Sequence, residues 1–171
     1  MDLTSDALTK ADILKKINVN VVFYEDLYNY NDIDSLLKND AVILMYRSTP
    51  FFGHWTCLIR NGNVIEFFDS YGDLPDQQKK TIDINFQKQS NQYRNRLIDL
   101  LIRKAEHLNA AGEPKYEIHY NEFKFQGKEA STCGKHCIAR ILFRHLDTYQ
   151  YHDWINQFNE SPDEIVRIIY D

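Results

Sequence analysis

Gly53-His-Trp-Thr-Cys-Leu-Ile-Arg-Asn-Gly-Asn-Val-Ile-Glu-Phe-Phe-Asp69 contains two apolar, β-prone runs, Trp55 to Arg60 and Asn63 to Phe68, separated only by Asn61-Gly62. Asn-Gly is the favoured pair for a two-residue type I′ turn, because both central positions need positive φ. The pattern predicts an antiparallel hairpin in which Arg60 faces Asn63, and stepping outward brings His54 opposite Asp69. Side chains so placed share a face, with Cβ atoms about 4.5–5.5 Å apart. A carboxylate there can accept the imidazole N–H and stabilise an imidazolium. The plainer reading of the same two residues is a pair of strand-end side chains satisfying local backbone groups.

Upstream, Ala41 to Tyr46 reads as a buried strand followed by a loop from Ser48 to Gly53. Thr9 and Asp12 form a capping box ahead of Ile13, Leu14 and Ile17, which predicts a first helix ending near Asn18. A second short helix is expected over Ile33 to Lys38. Downstream of Asp69 to Pro75, Leu97, Ile98, Leu101, Ile102, Ala105 and Leu108 make one apolar stripe, predicting a helix that stops before Gly112-Glu-Pro114. Tyr116 to Tyr120 and Phe123 to Phe125 look like strands. From Cys133 onward, Cys137, Ile138, Ile141, Leu142 and Leu146 recur as a buried helix face. Ser161-Pro-Asp-Glu164 supplies a cap, an N1 proline and a capping-box glutamate before Ile165, Val166, Ile168 and Ile169. The expected class is α+β, a small mixed sheet flanked by helices in one domain over residues 1–171.

With 43% hydrophobic and 13% aromatic residues in 171, there is material for a single packed core. No apolar run reaches the length of a membrane span, and Met1 to Lys10 lacks a secretion signal, so a soluble, unsecreted protein with no membrane partner is expected. The net charge of −5 is spread along the chain and gives no sign of a dedicated nucleic-acid surface. Lys79, Lys80, Arg94, Arg96, Arg103 and Lys104 form at most a local basic patch or a solvated helix face.

The three cysteines, Cys57, Cys133 and Cys137, do not suit a disulfide framework. Cys133 falls at the expected start of a helix, where free N–H groups and the helix dipole favour a thiolate. It reads either as a nucleophile or as a small buried cysteine. Gly134 behind it permits close backbone approach, and the Cys133 N–H can point at a developing oxyanion. Cys57, three positions from His54 in a strand, faces away from that base, and Cys137 belongs to the apolar stripe. His136 is expected to be exposed or capping. Cys133-x-x-His136-Cys137 lacks a second ligand pair, so neither a metal nor another cofactor is expected.

Gly53-His54-Trp55, Phe67-Phe68-Asp69-Ser70-Tyr71-Gly72, and Gln126 ahead of Cys133-Gly134 together resemble the adenovirus-type (adenain-like) cysteine proteases, relatives of the SUMO-specific proteases. The resemblance extends to the order of the motifs and to the seven-residue step from Gln126 to Cys133. It implies a papain-like superfold with His54 as general base, Asp69 as its orienter, Gln126 in the oxyanion hole and Cys133 as nucleophile. It also implies substrate-binding positions at Gly53, Trp55 and Gly134, with Trp55 shaping a narrow channel that favours glycine. Trp55 reads equally as an ordinary core aromatic.

The function implied is a viral endopeptidase, similar to those of adenoviruses and virophage-like viruses, cleaving capsid or scaffold precursors after small residues at Gly-Gly-X-like sites during virion maturation. Its expected location is the virion and the infected cell. A protease for ubiquitin-like modifiers is the alternative. Two departures from the family bear on activators. No cysteine lies between Cys57 and Cys133, which argues against a disulfide-linked peptide, and the acidic charge argues against carrying over DNA stimulation.

Overall fold

The computed structural model describes residues 6–103, 108 and 110–171. Helix α1, Lys10–Lys16, starts at the Thr9–Asp12 capping box and ends at Ile17. Strand β1 is Asn20–Phe23, and a 3₁₀ segment, Tyr24–Asn29, leads to α2, Ile33–Leu36. Strands β2 (Ala41–Arg47), β3 (Gly53–Asn61) and β4 (Val64–Phe68) follow, and then a 3₁₀ segment, Gln77–Thr81. Helices α3 (Ile84–Gln89) and α4 (Arg96–Ile102) precede β5 (Glu117–Tyr120). The chain closes with α5 (Cys133–Leu142), α6 (Thr148–Asn156) and α7 (Pro162–Tyr170).

The sheet runs in the order β1-β2-β3-β4-β5 and is mixed, with β3 antiparallel to both β2 and β4 and a strand paired in parallel at each edge. Strand β2 is apolar at consecutive positions because both faces of the sheet are covered. On one face Ile43, Trp55, Cys57 and Phe68 pack against Cys137, Ile138 and Ile141 of α5. On the other, Leu44, Leu58 and Phe67 meet Leu97, Leu100 and Leu101 of α4. The α+β class with a small mixed sheet is therefore as expected. Among the described residues no helix is long and apolar enough to cross a membrane.

Several expectations are corrected. The hairpin turns on Gly62-Asn63, not Asn61-Gly62: Asn61 pairs with Val64, Arg60 with Ile65 and Cys57 with Phe68. Of the two turn residues only Gly62 takes positive φ, at 59°, the pattern of a turn with glycine first. Asn61 is thereby left in the ladder, its amide donating to Arg144 O. Helix α4 stops at Ile102, which is exposed, as is Leu108; its buried face is Leu97, Leu100 and Leu101. Ala105 of the expected stripe lies outside the described residues. Phe123 to Phe125 form no strand, because the Asn121 amide turns the chain by bonding Asp69 O and the Phe123 backbone. Leu142 and Ile168 are exposed rather than core. Helix α6 has no counterpart among the expected elements, although Asp147 and Gln150 form a complete capping box there.

Of the basic residues singled out in the sequence, Lys79 and Arg96 are engaged within the fold. Lys79 is buried, donating to the carbonyls of Tyr93 and Arg94 and to Asn95 Oδ1, and Arg96 holds Asp99 and Tyr30 O. Lys104 lies outside the described residues.

Candidate active site

Strand parity explains why a wrong register still joined the right side chains. A two-residue shift keeps every side chain on its own face, so His54 and Asp69 remain neighbours, now diagonal rather than opposite. His54 Nε2 lies 2.9 Å from Asp69 Oδ1, with both residues buried. Tyr71 takes the place nearer to His54, its ring stacked on the imidazole at 4.9 Å. Asp69 Oδ1 also accepts the Tyr71 N–H at 2.8 Å, which fixes the carboxylate, while Oδ2 is buried without a protein partner.

Cys133 is the first residue of α5, beside the second residue of β3. The sulfur accepts the Trp55 N–H at 3.5 Å and lies close enough to His54 for each group to shift the other's protonation. Nε2 is engaged by Asp69, which leaves Nδ1 as the ring nitrogen available to a thiol. Burial alone pushes the Cys133 thiol up, but the bond to His54, its charge, and the N–H groups of Trp55 and Gly134 outweigh burial and bring it below its ordinary value. Burial likewise disfavours the His54 imidazolium, yet the bonds to Asp69 and Cys133 raise it to about 10. The two shifts describe one thiolate–imidazolium pair.

Gln126 reaches the same place from a loop held by Ser70, whose carbonyl accepts the N–H groups of both Phe125 and Gln126. Its Oε1 accepts the Ser70 hydroxyl at 2.6 Å and its Nε2 donates to Ala130 O. A primary amide carries two N–H donors, so one remains for the cleft. That cleft, about 550 Å³, is lined by Gln126, Cys133, His54, Trp55 and Gly53, with exposed Phe51 and Phe52 on its rim. Gln92 fixes the base of the rim loop by bonding both the N–H and the carbonyl of Arg47 at 2.9 Å.

Gly53 admits no side chain, since a Cβ there would lie 2.1 Å from Tyr46 O. Trp55 lines the cleft and is also core, 2% exposed, its indole donating to Leu8 O at 2.9 Å. Gly134 lies beneath the cleft rather than among the residues that line it, where a Cβ would come within 3.2 Å of Trp55. Cys57 and Cys137 are wholly buried in the core on the α5 face.

His136, expected to be exposed or capping, is fully buried, and its Nε2 donates to Asp163 Oδ1 at 2.9 Å. Burial holds its imidazolium form below the ordinary value. Asp163 also accepts the Thr132 hydroxyl and, through Oδ2, the Gly127 N–H at 2.9 Å. Asp6 was equally absent from the expected site, and it bonds Lys135 Nζ and Arg167 Nε at 2.9 Å each. The only local sign of Asp163 was its place in Ser161-Pro-Asp-Glu164, which capping already explained.

No family model matches the chain. Uncharacterized protein V9 of Sputnik virophage is 36% identical to it over 173 residues, spanning 95% of this chain and 93% of the virophage protein. With that identity sustained over nearly the whole of both, the chain belongs to the family of Sputnik virophage V9.

Proposed function

We propose that this protein is a cysteine endopeptidase of the adenain-like type, with a papain-like fold, acting on capsid or scaffold precursors after small residues during virion maturation. The observation that carries the reading is that Asp69 bonds His54, that His54 and the Cys133 thiol shift each other's protonation, and that His54, Cys133 and Gln126 line one cleft. The thiolate adds to the scissile carbonyl carbon, forming a C–S bond as the carbonyl electrons move to oxygen. The Cys133 N–H and Gln126 Nε2–H face that oxyanion. His54 passes its proton to the leaving amine as the C–N bond breaks, then takes a proton from the water that hydrolyses the thioester. Asp69 keeps the ring oriented throughout. Trp55 and Gly53 line the cleft, where the resemblance places a channel that suits glycine at the scissile bond. The kinship with a virophage protein supports a viral setting.

The test is a fluorogenic peptide series with Gly-Gly-X and other small residues at the scissile position. Turnover is expected from the wild type and not from Cys133→Ala or from enzyme treated with a thiol alkylator. Equal turnover by Cys133→Ala overturns the assignment, and a faster reaction with an electrophilic ubiquitin-like tail moves the substrate to modifiers.

A further inference from the structure

The two ends of the Gln126 amide are nearly the same shape, so its neighbours decide which way it points. At one end stands Ala130 O, which can only accept, and the nitrogen must face it. The oxygen is then turned to the Ser70 hydroxyl, 2.6 Å away, which must donate. Ser70 is wholly buried and Gln126 is 2% exposed, so bulk water is kept from this bond. The backbone repeats the link: Ser70 O accepts the N–H of Phe125 at 2.8 Å and that of Gln126 at 3.0 Å. The residue before Ser70 is pinned as well, since Asp69 O accepts Asn121 Nδ2 at 2.7 Å and the Gly72 N–H at 2.8 Å. Ser70 thus joins the turn that carries Asp69 to the loop that carries Gln126.

We propose that Ser70 is a positioning residue for the oxyanion side of the Cys133 site: its hydroxyl holds Gln126 Oε1, fixing which end of the amide donates and strengthening the N–H left for the cleft. This rests on the peptidase reading of Cys133 and Gln126. A donor on the amide oxygen draws electron density from the nitrogen, and bonds linked in this way strengthen one another by roughly 10–30% each. Without the hydroxyl, Oε1 is buried with no side-chain donor, a cost that the amide relieves by turning out of line. Both effects weaken the donor that would face a negative oxygen. The Asp69–His54 bond does not involve the hydroxyl. The loss is therefore selective: it falls on reactions of the sulfur that pass through an oxyanion and spares those that do not.

The experiment compares two reactions of the same sulfur in wild type, Ser70→Ala, Gln126→Ala and the double variant. The first is the rate of Cys133 alkylation by iodoacetamide against pH, a displacement at saturated carbon that builds no oxyanion. The second is the burst of nitrophenolate from N-acetylglycine p-nitrophenyl ester, in which the thiolate adds to the carbonyl carbon and the oxyanion then expels nitrophenolate. Cys57 and Cys137 are wholly buried and stay silent in the folded protein. Ser70→Ala is expected to slow the burst about tenfold and Gln126→Ala on the order of 10²-fold. The double variant should fall no more than about twofold below Gln126→Ala, because a hydroxyl that acts through the amide then has nothing to act on. The alkylation rate and its inflection are expected to stay at wild-type values in all three. A further tenfold loss in the double variant overturns the proposal, as does a moved inflection in Ser70→Ala, since the hydroxyl would then act through Asp69 and His54. Should Ser70→Ala fail to fold, Ser70→Cys fills similar space with a weak donor, and a slower burst that disappears as an effect in the Gln126→Ala background is required of it. A wild-type burst no larger than that of Cys133→Ala sinks the peptidase reading. A burst that depends on Cys133 but keeps its full rate in Ser70→Ala sinks the positioning role alone.

Discussion

Cys133 and His54 set each other's protonation, because neither charge is tolerable in that buried position without the other. Below the lowered Cys133 value the sulfur is protonated, so peptide cleavage should rise with pH through it. It should fall again as the His54 imidazolium loses its proton toward about 10. His54→Ala removes the cation and leaves the burial. The Cys133 alkylation inflection should therefore move upward by about one to three units, and cleavage should be lost. An inflection that stays in place would mean the sulfur draws its acidity from the α5 N-terminus alone. Cys133, His54 and Gln126, which line the cleft, and Asp69, which bonds His54, were legible because each carries a local sign: a helix start for Cys133, strand parity for His54 and Asp69, a motif position for Gln126. Asp163 and Asp6 were not, since an aspartate in a capping box and one near the N-terminus look like any surface carboxylates. Their partners lie 27 to 36 and 129 to 161 residues away.

Strand β3 bears His54, Trp55 and Cys57 within four positions, so its placement against β2 governs the site. Gly53 opens the strand opposite Arg47, where a Cβ would stand 2.1 Å from Tyr46 O and 2.8 Å from Arg47 Cα. Backbone cannot yield there as a flexible side chain would. Gly53→Ala is expected to cost about 1–3 kcal/mol as overpacking, at roughly 2–4 °C of melting temperature per kcal/mol for a domain of this size. Displacing His54 from Asp69 should also lower kcat/KM by about tenfold or more, since small misplacements of catalytic groups are costly. A melting curve and a peptide assay check both, and an alanine variant with native values of each would show that the strand start adjusts freely. The hairpin as an element was legible, and its register was not. Asn-Gly promised a turn one residue early, whereas the glycine serves as the first turn residue. The stripe from Leu97 failed differently: apolar spacing does not say that Ile102, at the end of the helix, and Leu108 face solvent.

At the scale of the whole molecule, the sheet is buried on both faces, and a segment ahead of α1 links the cleft to α5 and α7. The segment Ala7 to Lys10 lines that cleft, Leu8 O holds the Trp55 indole, and Asp6 anchors the segment to α5 and α7. Arg167, then Lys135, keep the Asp6 carboxyl below the usual carboxylate range. The Lys135 side chain is only 7% exposed, and Asp6 is the carboxylate paired with it, beside the Tyr170 ring. Asp6→Ala leaves that ammonium buried and unpaired, a loss of about 3 kcal/mol and a melting temperature lower by roughly 6–12 °C. Replacing both partners, as in Asp6→Ala with Lys135→Met, should recover most of it, because an apolar pair of similar volume avoids the desolvation of the charge. The catalytic consequence should divide in a particular way. The segment walls the cleft but touches neither Cys133 Sγ nor His54 through Asp6, so loosening it should raise KM several-fold while kcat changes little. A fall in kcat at constant KM would instead place the segment's influence on the sulfur itself, through Trp55, whose N–H is one of the sulfur's donors.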